Sequence, residues 1–195
     1  VPVERLRAAP GSKDRKLLAA TRKLEGFFAT IDEIAENFEE EERPPKCADA
    51  FKRIVNGQLV TGGFPYVYGY AYEALCLALG AETERSWTQI AGSYDWFQEI
   101  DKALAILKVE LKVTDLVCRG PLIPIPRPDE FPSLGWWTAD EVSQAAAVCE
   151  ALDLKALNGK TSRTVKKAAS AIDDIRSWIA VAAARPGDWL VGVQS

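Results

Sequence analysis

Residues 66–79 constrain the chain more than any other stretch. They read Tyr-Val-Tyr-Gly-Tyr-Ala-Tyr-Glu-Ala-Leu-Cys-Leu-Ala-Leu, and Gly80 follows. Wound as a helix, this segment is apolar on every side, so it must be enclosed by other elements. Gly69 permits a close approach from a neighbour. Residues i and i+4 share a helix face, so Tyr66 pairs with Tyr70 and Tyr68 with Tyr72. The rest of the chain must therefore supply layers around a central, tyrosine-bearing helix.

The 195 residues suffice to bury most of the surface exposed by the unfolded chain. They are expected to form a single domain, 1–195. Apolar spacing predicts helices over 13–25 and 31–40, parted near Gly26. Ser12 is the expected cap of the first, and Thr30 with Glu33 a capping box for the second. A helix over 47–56 should stop at Gly57. Trp96, Phe97, Ile100, Leu104 and Leu107 predict another over 93–108. Thr138-Ala-Asp-Glu141 is a capping box that opens a further helix. The last should start at Thr161 or Ser162 and run to Pro186-Gly187. Strands are expected over 110–118, at Val1–Val3 and over 189–193. Pro121, Pro124, Pro126, Pro128 and Pro132 forbid helix and central strand over much of 119–137, which becomes an extended strap. The class is α+β and mostly helical. It has about seven helices around the central one, and a small antiparallel sheet joining N- and C-terminal strands.

Composition narrows the chemistry. The chain has no His. That removes Ser-His-Asp and Cys-His nucleophile arrangements, HExxH zinc sites and imidazole as a general base. Cys47, Cys76, Cys118 and Cys149 are far apart, so zinc-ribbon and CxxC spacings are absent. Reduced thiols and a cytoplasmic setting are expected. The net charge of −4 and pI near 5.1 do not favour nucleic acid as a partner. No apolar run is long enough to span a bilayer. Gly62-Gly63 lacks the spacing of a phosphate loop. Charge is nonetheless polarised: 4–23 is mainly basic, 25–42 acidic and 155–187 basic.

Two stretches carry a resemblance. One is Tyr66-Val-Tyr-Gly-Tyr-Ala-Tyr-Glu-Ala-Leu-Cys76 with its small-residue stop. The other is Cys118-Arg-Gly-Pro-Leu-Ile-Pro-Ile-Pro-Arg-Pro-Asp-Glu-Phe-Pro-Ser-Leu-Gly-Trp136. With the Trp96 helix and the closing hydrophobic strand, they resemble a bacterial domain-of-unknown-function family found often in actinobacteria and other soil bacteria. The resemblance covers nearly the whole chain. It implies a free-standing soluble protein of this size and brings no activity, ligand or catalytic residue with it.

Glu73 is the one charged residue between Phe64 and Ala81. Desolvation raises a carboxyl's pKa, which is how a general acid is made, so Glu73 is the catalytic candidate. A core-locking pair with Arg119 or a Tyr hydroxyl is the structural alternative. Tyr68 and Tyr72 are candidate pocket walls, or interior packing. Arg119, Trp136 and Trp137 bracket the strap and have the composition of a binding hot spot. They also suit a seal over the core edge. Two adjacent Trp cannot both face inward from extended chain. Glu39–Glu42 forms an acidic run that suits a solvated helix end, or a phosphate mimic in an immunity protein. Neighbouring carboxylates on one helix do not converge, so no metal site is expected, and no cofactor. Three classes follow: a protein-interaction module of immunity or accessory type, a small-molecule-binding domain with a Tyr/Trp-lined pocket, and a His-independent enzyme using Glu73. The first is favoured; the missing His weighs against the third.

Overall fold

The structure is a computed structural model that describes residues 1–35, 43–58, 64–80, 94–129, 131–157 and 163–194. The acidic run at 39–42, Gly62-Gly63 and the expected caps at Thr161 and Ser162 lie outside the described residues. The chain divides into two compact units. One takes Val1–Ala81, Gly120–Gly135 and Val193–Ser195; the other takes Glu82–Arg119 and Trp136–Gly192.

The first unit is built on helices α1 (Val3–Ala8), α2 (Arg15–Ala20), α3 (Glu25–Ala35), α4 (Cys47–Asn56) and α5 (Pro65–Leu79). The all-apolar segment is α5, and it packs against each of the other four. Val67, Tyr68, Tyr70, Ala71, Tyr72, Ala74, Leu75, Cys76 and Leu79 are all buried, so the helix is enclosed as its composition requires. Phe51, Ile54 and Val55 of α4 and Leu6 of α1 complete this core. Gly57, at φ 70°, ends α4 in the left-handed conformation that glycine adopts without strain.

In this unit four expectations for local structure change. Val1–Val3 is not a strand, because Pro2 is the N-cap of α1, whose Val3, Leu6 and Ala9 turn inward. The cap of α2 is Asp14, which accepts from Lys16 N at 2.7 Å; Ser12 instead accepts from Asp14 N. The break between α2 and α3 is a turn over 21–24, so Gly26 lies inside α3. Thr30 does not cap a helix. Its hydroxyl donates to Gly26 O at 3.1 Å, the i−4 back-bond of a mid-helix Thr.

The second unit holds α6 (Tyr94–Ile106), α7 (Val113–Cys118), α8 (Ala139–Glu150), a 3-10 turn (Leu154–Leu157) and α9 (Arg163–Ala183). α6 and α8 pack on α9, around Trp96, Ile100, Leu104, Trp137, Ile172, Ile175 and Ile179. The expected strand over 110–118 is α7. Val113, Leu116 and Val117 are buried at i, i+3 and i+4, a helical stripe. Asp101 of α6 starts this helix from outside by accepting from Val113 N and Thr114 Oγ1. Burial pushes the Asp101 carboxyl up despite those bonds. The Thr138–Glu141 capping box forms as predicted.

The chain is mostly helical α+β, with nine helices and one two-stranded antiparallel sheet among the described residues. The sheet pairs β1 (Ser133–Trp137) with β2 (Leu190–Gln194). The C-terminal strand is therefore as expected, but its partner comes from the end of the strap, not from the N-terminus. Among the described residues no helix is long and apolar enough to cross a membrane.

Candidate functional site

The strap is seated on α5 within the first unit. Residues 120–132 hold no helix or strand among those described. The loop is pinched at its base by Gly120 N donating to Leu134 O at 2.7 Å. Leu122 N donates to the Tyr72 hydroxyl at 3.4 Å. At Gly69 the two chains meet: a Cβ built there would stand 2.6 Å from Pro132 Cγ and 2.8 Å from Pro128 Cγ. No Cβ tolerates such contacts, so the missing side chain is what seats the prolines.

Tyr68 and Tyr72 are thus interior groups. Burial, then the neighbouring Cys76, pushes the Tyr72 phenol up; burial raises the Cys76 thiol to about 12. Tyr68 is 1% exposed, and its hydroxyl has no hydrogen-bond partner among the described residues. A buried unpaired hydroxyl costs about 1–3 kcal/mol. Tyr68→Phe is therefore expected to hold or raise stability, by up to about 1 kcal/mol once the altered packing is allowed for. Urea unfolding of the variant checks this; a fall in midpoint would mean that the hydroxyl has an internal partner.

A neighbouring face of α5 carries Tyr66, Tyr70 and Glu73. Glu73 is half-buried. Its charge acts on the Tyr70 phenol and the Cys47 thiol, both of which are held up chiefly by burial. Asp32 of α3 joins this neighbourhood. It accepts from Cys47 N at 2.8 Å, capping α4, whose own N-cap Lys46 supplies no side-chain bond. Sequence reasoning missed Asp32 and Cys47, because nothing in their spacing ties them to α5. The phenols and the thiol are all moved away from neutrality, so they are poor bases and nucleophiles near pH 7. Among the described residues no group of His, Cys, Asp and Glu is arranged to hold a metal ion.

In the second unit Arg119, Trp136 and Trp137 come together. Trp137 faces inward and is fully buried, with Nε1 donating to Lys112 O at 2.9 Å. Trp136, one residue earlier on β1, is only partly buried, as strand alternation demands. Arg119 grips Glu141 with two nitrogens, at 2.8 and 3.0 Å. It also bonds Asp115 at 2.9 Å and Trp136 O at 3.1 Å. Its guanidinium lies 4.8 Å from the Trp136 ring centroid, and that ring meets Trp189 at a 38° tilt, with centroids 4.9 Å apart. Trp189 is likewise partly exposed. Sequence reasoning missed Trp189, Asp115 and Glu141 as members of this cluster. The capping box at Thr138 was the available signal for Glu141.

The Arg119 hydrogen bonds hold the Glu141 carboxyl down at about 2, and Glu141 in turn raises Arg119. A depressed carboxyl pKa adds stability above its unfolded value near 4.5, lost as pH falls toward 2. The pair is partly solvated, so screening leaves about 1–2 kcal/mol. The expected result is a stability gap between wild type and Glu141→Gln that is full at pH 6 and closes between pH 4.5 and 2. Urea midpoints across that range measure it; a gap independent of pH would remove the ion pair as its cause.

Among the described residues there is also an open groove of about 550 Å³ between α8 and α9, lined by Ala146, Cys149, Arg176, Ile179, Ala180 and Ala183 among others. None of the predicted site residues lines it.

Fold and sites together describe a helical α+β protein with a proline strap locked onto a tyrosine helix and a rigid Arg-Trp cluster. The chain belongs to the DUF7691 family, a domain of unknown function, whose model matches residues 1–195. No curated protein and no solved structure matches it.

Proposed function

We propose that the chain is a protein-interaction module, of immunity or accessory type, with the Trp136–Trp189 pair as its anchor. The observation that carries this reading is the state of that pair. Two indole rings meet at a 38° tilt, both partly in solvent, and an Arg that four hydrogen bonds immobilise lies over the Trp136 ring. Aromatic and Arg side chains dominate binding hot spots. Rings that are already fixed lose little entropy on docking. The phenols and thiol around Glu73, pushed away from neutrality, support no comparable case for catalysis.

Affinity capture from the native host, with bound proteins and bound small molecules both identified by mass spectrometry, tests the reading. A Trp136→Ala/Trp189→Ala variant is expected to keep its fold and lose its partner. Removing a hot-spot pair costs about 2 kcal/mol or more, roughly thirtyfold in affinity. A partner retained equally by the variant, or a captured small molecule in place of a protein, would sink it.

A further inference from the structure

The basic end of the polarised sequence lies on α2, in the first unit, and there it forms a single face. Arg15, Lys16, Ala19, Arg22 and Lys23 fall within about a third of the helix circumference at 3.6 residues per turn. All five are exposed. The residues between them turn the other way: Leu17 is buried, and Leu18, Ala20, Thr21 and Leu24 are half-buried. The winding persists beyond Ala20, where α2 ends, because Lys23 N and Leu24 N both donate to Ala20 O, at 2.9 and 3.2 Å. Arg22 and Lys23 therefore stand on the same side as Arg15 and Lys16, about 10 Å further along the axis. The small Ala19 lies between the two pairs. The ion pairs among the described residues involve none of these four cations. Asp14, the one carboxylate within 13–23, is committed to Lys16 N as the cap of α2. Four like charges this close repel one another, a cost that a docked anion relieves.

We infer that this face docks an acidic helical segment of a partner protein, with carboxylates meeting the two cation pairs on either side of Ala19. Charge makes the occupant an anion, and three further features fix its kind. A nucleic acid would run past a face about 10 Å long onto a chain of net charge −4, and the face offers no aromatic side chain on which bases could stack. A helix that lies in a bilayer surface turns large apolar side chains to the lipid. Here Leu17 and Leu24 point into the protein, and Ala19 is the one apolar residue on the exposed face. A helical segment repeats its side chains at the period of α2, so carboxylates at i, i+1, i+7 and i+8 match the four cations, and Ala19 lets its backbone come close. The inference rests on the interaction reading only in taking a protein as the occupant. It uses a different unit of the chain from the Trp pair.

The test titrates the full chain with an alanine-based helical peptide that carries Glu at i, i+1, i+7 and i+8, and in parallel with duplex DNA and with phosphatidylserine vesicles. The expected result is binding of the peptide in preference to the other two, weakened by added salt. Arg15→Ala/Lys16→Ala/Arg22→Ala/Lys23→Ala should weaken it by about tenfold or more, and Arg22→Ala/Lys23→Ala by part of that. Lys46→Ala/Lys102→Ala/Lys112→Ala/Arg185→Ala makes the same change in net charge at exposed positions elsewhere and should leave binding near the wild-type value. Every substituted residue is exposed, so the variants should fold, and circular dichroism verifies this. Absence of peptide binding, tighter binding of DNA or vesicles, or equal losses in the α2 and control variants overturns the inference. The Trp136→Ala/Trp189→Ala variant should bind the peptide as wild type does. If the peptide fails to bind and a Trp136- and Trp189-dependent partner is still captured, the interaction reading stands without the α2 face.

Discussion

Replacing Gly69 by Val should lift the proline strap off its helix and lower stability by about 2–4 kcal/mol. Two effects compete at this position. Gly in a helix interior costs about 1 kcal/mol relative to Ala, so adding a side chain should help the helix. Against that, the first added carbon would lie within 3.0 Å of Pro128 Cγ and of Pro132 Cγ and Cδ. Proline rings cannot rotate away, so the loop itself must move, and overpacking of this kind typically costs 1–3 kcal/mol. Ala already brings the first clash, and Val adds two more carbons and a β-branch to it. Gly26 supplies the internal control. It also lies within a helix, but a Cβ there meets nothing within 4 Å. Gly26→Ala should therefore stabilise by up to about 1 kcal/mol. Calorimetry gives the stabilities, and amide exchange at Leu122 reports the strap, because that N–H donates to Tyr72. A Gly69→Val protein with unchanged Leu122 protection would show that the strap is not held at this notch.

Trp137→Ala should be among the most damaging single changes, costing about 3–5 kcal/mol from the lost burial and the cavity. The Lys112 carbonyl, left without its indole donor, adds about 1 kcal/mol if no water reaches it. Natural domains hold about 5–15 kcal/mol in all, so this is a large share. For a chain of this size it lowers Tm by about 10 °C or more. Trp136→Ala, one residue away, should cost under about 1.5 kcal/mol, because that ring is partly in solvent and its loss leaves no enclosed cavity. Parallel thermal and urea unfolding of the two variants separates a core Trp from a surface one. Equal losses would contradict the inward–outward alternation of β1.

These two positions also show how sequence and structure divided the work. The alternation of adjacent Trp residues was legible from the chain alone, since successive side chains of a strand point to opposite faces. Which of the two faced in was not, because that depends on where the sheet's covered side lies. The expected strand over 110–118 shows a different limit. The apolar residues Leu111, Val113, Leu116 and Val117 suggested a strand, yet the i, i+3, i+4 burial of Val113, Leu116 and Val117 is helical, and a carboxylate from α6 starts the helix. A cap supplied by Asp101 is invisible to any local reading. The same holds for Asp32 at Cys47 and for Glu141 at Arg119.

From sequence alone came the properties that local physics sets. An all-apolar helix had to be enclosed, prolines had to make a strap, Gly57 had to end α4, and Thr138 with Glu141 had to open α8. Each depends on residues within a turn or two of one another, or on the solvent each side chain can tolerate. Tertiary structure alone decided that β1 and β2 pair, that Gly69 receives Pro128 and Pro132, and that Arg119 gathers Glu141, Asp115 and Trp136 into one cluster. Those contacts join residues distant in the chain. Their energy comes from complementary shape and charge, which no periodicity along a sequence encodes.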